Sequence, residues 1–167
     1  MTSDELRSRQ APLKAQFKDN PASALATLRV TGTLATEQVA CRIESLGHTI
    51  AAGLHPLAGG DGTWACSGDM LLESLAACAG VTLNAVATAM GIPLRGGRVI
   101  AEGDLDFRGT LGTSKETPVG FQNIRLRFEL DTDATAEQKA TLLKLAERYC
   151  VIFQTLKQPP NITAELS

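Results

Sequence analysis

From Met70 to Met90 the chain is apolar on nearly every side. Leu71, Leu72, Leu75, Val81, Leu83, Val86 and Met90 cover most directions around a helix turning by about 100° per residue. Ser67 is a good N-cap, and Asp69 falls in the first turn, where the helix dipole favours a carboxylate. Gly91-Ile92-Pro93 supplies the expected stop. The pattern predicts a helix over 67–90 that must be covered on more than one side. A chain of 167 residues has few other elements to cover it, so burial in a dimer core is the natural solution.

Elsewhere the period changes to two. Residues 24–30, 38–44 and 98–106 alternate as strands do, as in Leu28 and Val30 and in Val39, Cys41 and Ile43. A further strand is expected over 46–54, followed by a flexible connection through His55-Pro56 and Gly59-Gly60-Asp61-Gly62. Ile124, Leu126, Phe128 and Leu130 alternate with Arg125, Arg127 and Glu129, which predicts a strand over 122–130. Residues 107–120 contain Gly109, Gly112 and Pro118 and are expected to form a loop or wide hairpin. Thr135-Ala136-Glu137-Gln138 is a capping box that opens a second helix, with Leu142, Leu145, Ala146 and Tyr149 on its apolar stripe. Residues 150–156 continue it directly or after a kink, Pro159-Pro160 ends it, and 162–166 is expected as an edge strand. The class is therefore α+β. Residues 1–20 are expected as an arm or short helix that breaks at Asn20-Pro21, and 21–167 as a single domain.

Composition narrows the function. An apolar content of 44% with 20% charged residues is ordinary for a globular protein. A net charge of −2, no basic block and few aromatic residues argue against nucleic acid as a partner. The first residues, Met1-Thr2-Ser3-Asp4-Glu5, lack the apolar core of a signal peptide, and the apolar helix carries Glu73 and Asn84. A cytoplasmic protein that does not enter a membrane is expected, and its four cysteines should be reduced thiols. Under that expectation the sequon Asn161-Ile162-Thr163 has no role.

The chemistry that remains is thiol chemistry. Cys78 lies deep in the apolar helix, and Cys150 follows the second helix in Arg148-Tyr149-Cys150. A thiolate can attack a weak O–O bond and become a sulfenic acid, and a second thiol can condense with it to a disulfide. Each cysteine can equally be a small hydrophobe in a core, and a buried thiol without a stabilising partner is inert. Cys78 sits too far along its helix for the N-terminal dipole to help, so a cation is expected nearby, with Arg29, Arg42, Arg108 and Arg125 as candidates. Cys41 fits packing, and Cys66 is an outside candidate for a resolving thiol. His48 and His55 form no recognised zinc spacing with these cysteines. There is no G-x-S-x-G elbow, and Gly59-Gly60-Asp61-Gly62 is not followed by the Lys-Ser/Thr of a phosphate loop. No metal and no cofactor is expected.

The run Ser67-Gly68-Asp69-Met70-Leu71-Leu72-Glu73-Ser74-Leu75-Ala76-Ala77-Cys78 resembles the first cysteine helix of the OsmC/Ohr superfamily, with its acidic-Leu-Leu run ending in cysteine. A strand, then a helix closing on Cys150, matches the second site. The resemblance covers most of the chain from Ala22 onward. It implies an intertwined, domain-swapped homodimer in which mixed sheets flank two long central helices. It also implies thiol-dependent reduction of organic hydroperoxides in oxidative stress defence. Cys78 would be the peroxidatic thiol and Cys150 the resolving thiol. An arginine, Arg42 before Arg29, would stabilise the thiolate, and Asp69 would hold that arginine. A dithiol reductant, a lipoyl protein or a thioredoxin-like protein, would restore the pair. This chain has Cys150-Val151-Ile152 where many members have Cys-Pro-Val, and Asp69 where glutamate is commoner. On an ideal helix Asp69 and Cys78 fall on opposite faces. The alternatives are a non-catalytic stress or small-ligand-binding protein on the same fold, and another thiol enzyme such as a transferase or hydrolase.

Overall fold

The computed structural model describes residues 1–45 and 47–166 and is α+β. Helix α1 (Ser3–Asp19) is closed at its start by a reciprocal capping box between Thr2 and Glu5. Strands β1 (Thr31–Leu34), β2 (Ala40–Ser45) and β3 (His48–Gly53) form an antiparallel meander. The short β4 (Ala65–Cys66) joins it parallel to β3 and runs directly into helix α2 (Ser67–Met90). Strand β5 (Gly96–Asp104) and strand β6 (Asn123–Asp131) make a second, two-stranded sheet. Helix α3 (Phe107–Thr110) is a single turn between them, helix α4 (Ala136–Tyr149) follows, and helix α5 (Val151–Lys157) closes the ordered elements.

The chain forms two compact units. One comprises Met1–Ser23, Ser74–Ile100 and Leu126–Ser167, and the other Ala24–Glu73 and Ala101–Arg125. In the first unit the core is built on a four-residue spacing. Leu75, Ala79, Leu83 and Ala87 are buried along α2, and Leu142, Ala146 and Cys150 are buried along and just past α4. Leu83, Ala87, Leu142, Ala146 and Ile92 form one cluster, flanked by Phe128 and Leu130 of β6. Gly91, at φ 66°, ends α2 in the left-handed conformation that glycine adopts freely. Ile92 N–H then bonds the Ala87 carbonyl and Gly91 N–H the Thr88 carbonyl, a Schellman closure that drops Ile92 into the core. Arg95 bridges Asp131 and Asp133, and Arg98 pairs with Glu129, across the exposed side of the β5–β6 ribbon.

In the second unit the β2 face alternates as expected, with Cys41 and Ile43 half-buried and Arg42 and Glu44 exposed. Asp106 caps α3 and grips Arg108, Arg125 pairs with Asp104, and His55 stacks on Phe107 with ring centroids 4.6 Å apart.

Several expected elements differ. Residues 24–30 are not a strand; the first strand is Thr31–Leu34, because Leu25, Leu28 and Val30 are exposed and pair with nothing among the described residues. Residues 162–166 form no edge strand: after Pro159-Pro160 the segment pairs with no strand among the described residues, and Ile162 is 81% exposed. Ser67 is the first residue of α2 and not its cap. The third strand starts at His48, and Leu46, where it was expected to begin, lies outside the described residues. Residues 107–120 include the α3 turn that Asp106 nucleates. Tyr149, expected on the α4 stripe, is exposed, and the buried row runs instead through Leu142, Ala146 and Cys150.

Helix α2 is long and apolar enough to cross a membrane by length and composition. It carries the buried row of the core, and it also leaves Val81 72% exposed.

Leu142 fills the centre of the core cluster and is 1% exposed. Leu142→Ala is expected to cost about 2–5 kcal/mol of stability. Urea unfolding followed by circular dichroism checks it, with a lower midpoint and an unchanged slope as the expected result.

Candidate active site

Cys78 and Cys150 both belong to the first unit. Cys78 stands one residue before Ala79 on α2, so it flanks the buried row and is only half-buried. Cys150 lies at the junction of α4 and α5, as C-cap of one helix and N-cap of the next, with ψ at 110°. That extended conformation ends α4 and restarts the chain as α5. It keeps Cys150 in line with Ala146 and Leu142, four and eight residues back, and leaves it 1% exposed.

The two thiols are near enough for each to shift the titration of the other. Partial burial pushes the Cys78 thiol up. Hydrogen bonds from Ile152 N–H, the Cys150 thiol, Val151 N–H and the Thr82 hydroxyl outweigh it, so Cys78 ionises below the ordinary thiol value. Cys150 moves the other way. Burial raises it, Phe153 N–H donating to its Sγ at 3.5 Å partly opposes that, and a charge on Cys78 raises it further. One proton therefore leaves the pair from Cys78 and the second stays on Cys150. The arrangement favours ionisation of Cys78 over Cys150.

The other expected site residues lie in the second unit. Arg42 is on β2, paired in register with Thr33 and Ala51, and its side chain is exposed. Asp69 is exposed in the first turn of α2. Arg108 is held by Asp106, and Arg125 by Asp104 with Glu102 behind it. The contacts that bear on the Cys78 thiol are instead neutral donors. Sequence reasoning missed Thr82, although its place four residues after Cys78 on one helix face was visible. It also missed the amides of Val151 and Ile152, which carry no side-chain signal.

Cys41 lies on β2 and Cys66 at the end of β4. His55 is engaged as a cap, accepting from Leu57 N–H at Nδ1 over 3.0 Å. An open groove of about 490 Å³ borders Cys150, with Arg148, Tyr149, Val151, Gln154 and Gln158 along it. A second pocket of about 410 Å³ lies over Leu83, Leu126, Phe128, Leu130 and Leu142, with Arg127 and Lys139 also lining it.

The family model described as OsmC-like protein matches residues 60–165. The chain matches no curated protein. Among solved structures it is similar to an OsmC-like protein from Mycoplasma pneumoniae, at 18% identity and a TM-score of 0.68 over 80% of this chain and 89% of that one. It is also similar to an organic hydroperoxide resistance protein from Elizabethkingia anophelis, at 14% identity and a TM-score of 0.64 over 80% and 91% of the two chains. A third is an organic hydroperoxide resistance protein from Legionella pneumophila, also described as a predicted redox protein, at 16% identity and a TM-score of 0.62 over 80% and 93%.

Cys78 should alkylate with a pH midpoint below the ordinary thiol value of about 8.5, and Cys150 with one above it. The sign follows from reactivity tracking the thiolate, which appears as pH rises through each midpoint. Iodoacetamide labelling from pH 5 to about 10, read by peptide mass mapping, measures both.

Proposed function

Because this chain belongs to the OsmC-like family, we propose that it reduces organic hydroperoxides through a sulfenic acid–disulfide cycle at Cys78 and Cys150. The observation that carries this reading is the contact between two thiols whose titrations are pushed in opposite directions. Two of the similar structures are named organic hydroperoxide resistance proteins, which favours that substrate class.

In this cycle the Cys78 thiolate attacks one oxygen of the peroxide. An S–O bond forms, the O–O bond breaks, and the alkoxide leaves and takes up a proton as the alcohol. Sulfur gives up two electrons and becomes a sulfenic acid. Cys150, held protonated beside it, then condenses with that sulfur: the S–S bond forms and the oxygen departs as water. A dithiol reductant, a lipoyl or thioredoxin-like protein, returns both thiols by exchange. Arg42 and Asp69 enter this reading only through the family pattern. The same reading places the protein in the cytoplasm, where its thiols stay reduced.

A homodimer belongs to the proposal. Val81 on α2 is exposed, as are Leu25, Leu28, Leu34 and Val39, far more apolar surface than a lone protomer comfortably presents to water. A second copy of the chain is the occupant proposed for it. Light scattering on a sizing column should give twice the 17.6 kDa chain mass. Val81→Glu should shift the protein toward monomer, and a wild type that runs as a monomer would remove this part of the reading.

The apolar pocket over Leu83 and Leu142 favours a second reading, a non-catalytic binding protein on the same fold. The two readings part in one experiment. One equivalent of cumene hydroperoxide should produce a Cys78–Cys150 disulfide in wild type within seconds to minutes and none in Cys78→Ser. Turnover with dithiothreitol should fall by about 10³-fold or more in Cys78→Ser, the order seen when a nucleophile is removed. Four thiols surviving peroxide would leave the binding protein.

A further inference from the structure

The pocket over Leu83 and Leu142 lies wholly within the first unit, between β6 and the part of α4 that carries Lys139, Leu142 and Leu143. Its lining is divided. Leu83 and Leu142 are buried, whereas Leu143 is 43% exposed. Lys139 stands one turn before Leu143 on α4, so the two share a helix face. Arg127 and Lys139 are exposed, and no carboxylate lines the pocket.

The charge around it is unbalanced. The Lys139 ammonium forms no ion pair and no hydrogen bond among the described residues. Arg127 approaches Glu129 through Nε at 3.5 Å, but Glu129 is already held by Arg98 at 2.6 Å. Two arginines thus share one carboxylate, and Lys139 has none. The pocket is also separate from the features used above. No cysteine lines it. Val81, the exposed α2 residue of the dimer reading, is two residues from Leu83, or about 200° around the helix. A second copy seated on Val81 would leave the Leu83 side to another occupant.

We propose that this pocket binds a free alkyl carboxylate, with the chain over Leu83, Phe128 and Leu142 and the carboxylate at Lys139 and Arg127. Its volume of about 410 Å³ is that of a small-molecule site. Burial of the chain drives entry, and the two cations choose the headgroup: they hydrogen-bond a carboxylate and repel an ammonium. The inference deepens the binding reading of this pocket by naming its ligand class. It does not use the thiols, so it stands whether or not Cys78 reduces peroxide.

Calorimetric titration of the reduced full-length chain tests it with octanoate, octyltrimethylammonium and acetate, each below any micelle concentration. Octanoate should saturate at one per chain. The cation of the same chain length should bind at least about tenfold more weakly, the order of one hydrogen bond to a charged group, and acetate should give no heat. Lys139→Glu should weaken octanoate by about tenfold or more, and Lys139→Arg should keep it near wild type. In methyl-labelled leucine spectra the Leu83, Leu142 and Leu143 signals should move with octanoate.

Equal binding of octanoate and octyltrimethylammonium overturns the proposal without any variant. So does octanoate binding that Lys139→Glu leaves unchanged, or that moves other leucines only. If a second copy fills the pocket instead, octanoate gives no heat and Leu143→Glu lowers the mass by light scattering, which also overturns it. Cys78→Ser should bind octanoate as wild type does, and Lys139→Glu should keep any peroxide turnover. Octanoate binding without peroxide turnover would keep this site and remove the peroxidase reading; turnover without octanoate binding would do the reverse.

Discussion

The packing of the α2 row Leu83–Ala87 against Leu142 and Ala146 of α4 places everything else in the first unit. Two leucines fill the layer, and two alanines leave them room. Because both rows repeat every four residues, this contact also sets the rotation of each helix about its axis. Rotating α2 to bury that row brings Cys78 and Thr82 to its edge. Extending the α4 row by one more step buries Cys150. The thiol pair is thus a by-product of the core register, and a slip in either helix would separate the two sulfurs.

The break at Cys150 turns that packing into chemistry. A helix continuing through Cys150 would have used the amides of Val151 and Ile152 internally. Ending α4 on an extended residue and restarting as α5 leaves those donors unclaimed beside a half-buried sulfur. Desolvation pushes both thiols up, and Cys150 stays raised. The two cysteines differ in depth and in hydrogen bonding: Cys150 is fully buried and raised, while half-buried Cys78 has donors enough to reverse its burial. The chain belongs to the OsmC-like family, and its two helix-borne thiols are pushed in opposite directions.

The ion pairs take no part in this. Arg95, Arg98, Arg108 and Arg125 all bond nearby carboxylates on exposed surfaces. Pairs of that kind contribute little to stability, and here they dress the β5–β6 ribbon and the α3 turn. Arg42 and Arg29, the arginines proposed from the family pattern, lie with β2 and the segment before β1, in the unit that does not hold Cys78 and Cys150.

Local signals were strong where the backbone had a single way to be satisfied. The apolar run from Ser67, its stop at Gly91-Ile92-Pro93, and the capping box at Thr135 are written in residue types whose effect does not depend on distant partners, and both helices lie where those residues put them. The strand over residues 24–30 failed because alternation describes a face without naming what pairs with it, and Leu25 and Leu28 find no neighbouring strand among the described residues. The same limit applied to the site. Sequence alone brought forward Cys78 and Cys150 as a candidate pair through the residues around them. Their nearness and the opposite directions of the two titrations were decided by tertiary structure. The physical reason is that a thiol's acidity is set by the atoms within a few ångströms of sulfur, and backbone amides freed by a helix break have no letter in the sequence.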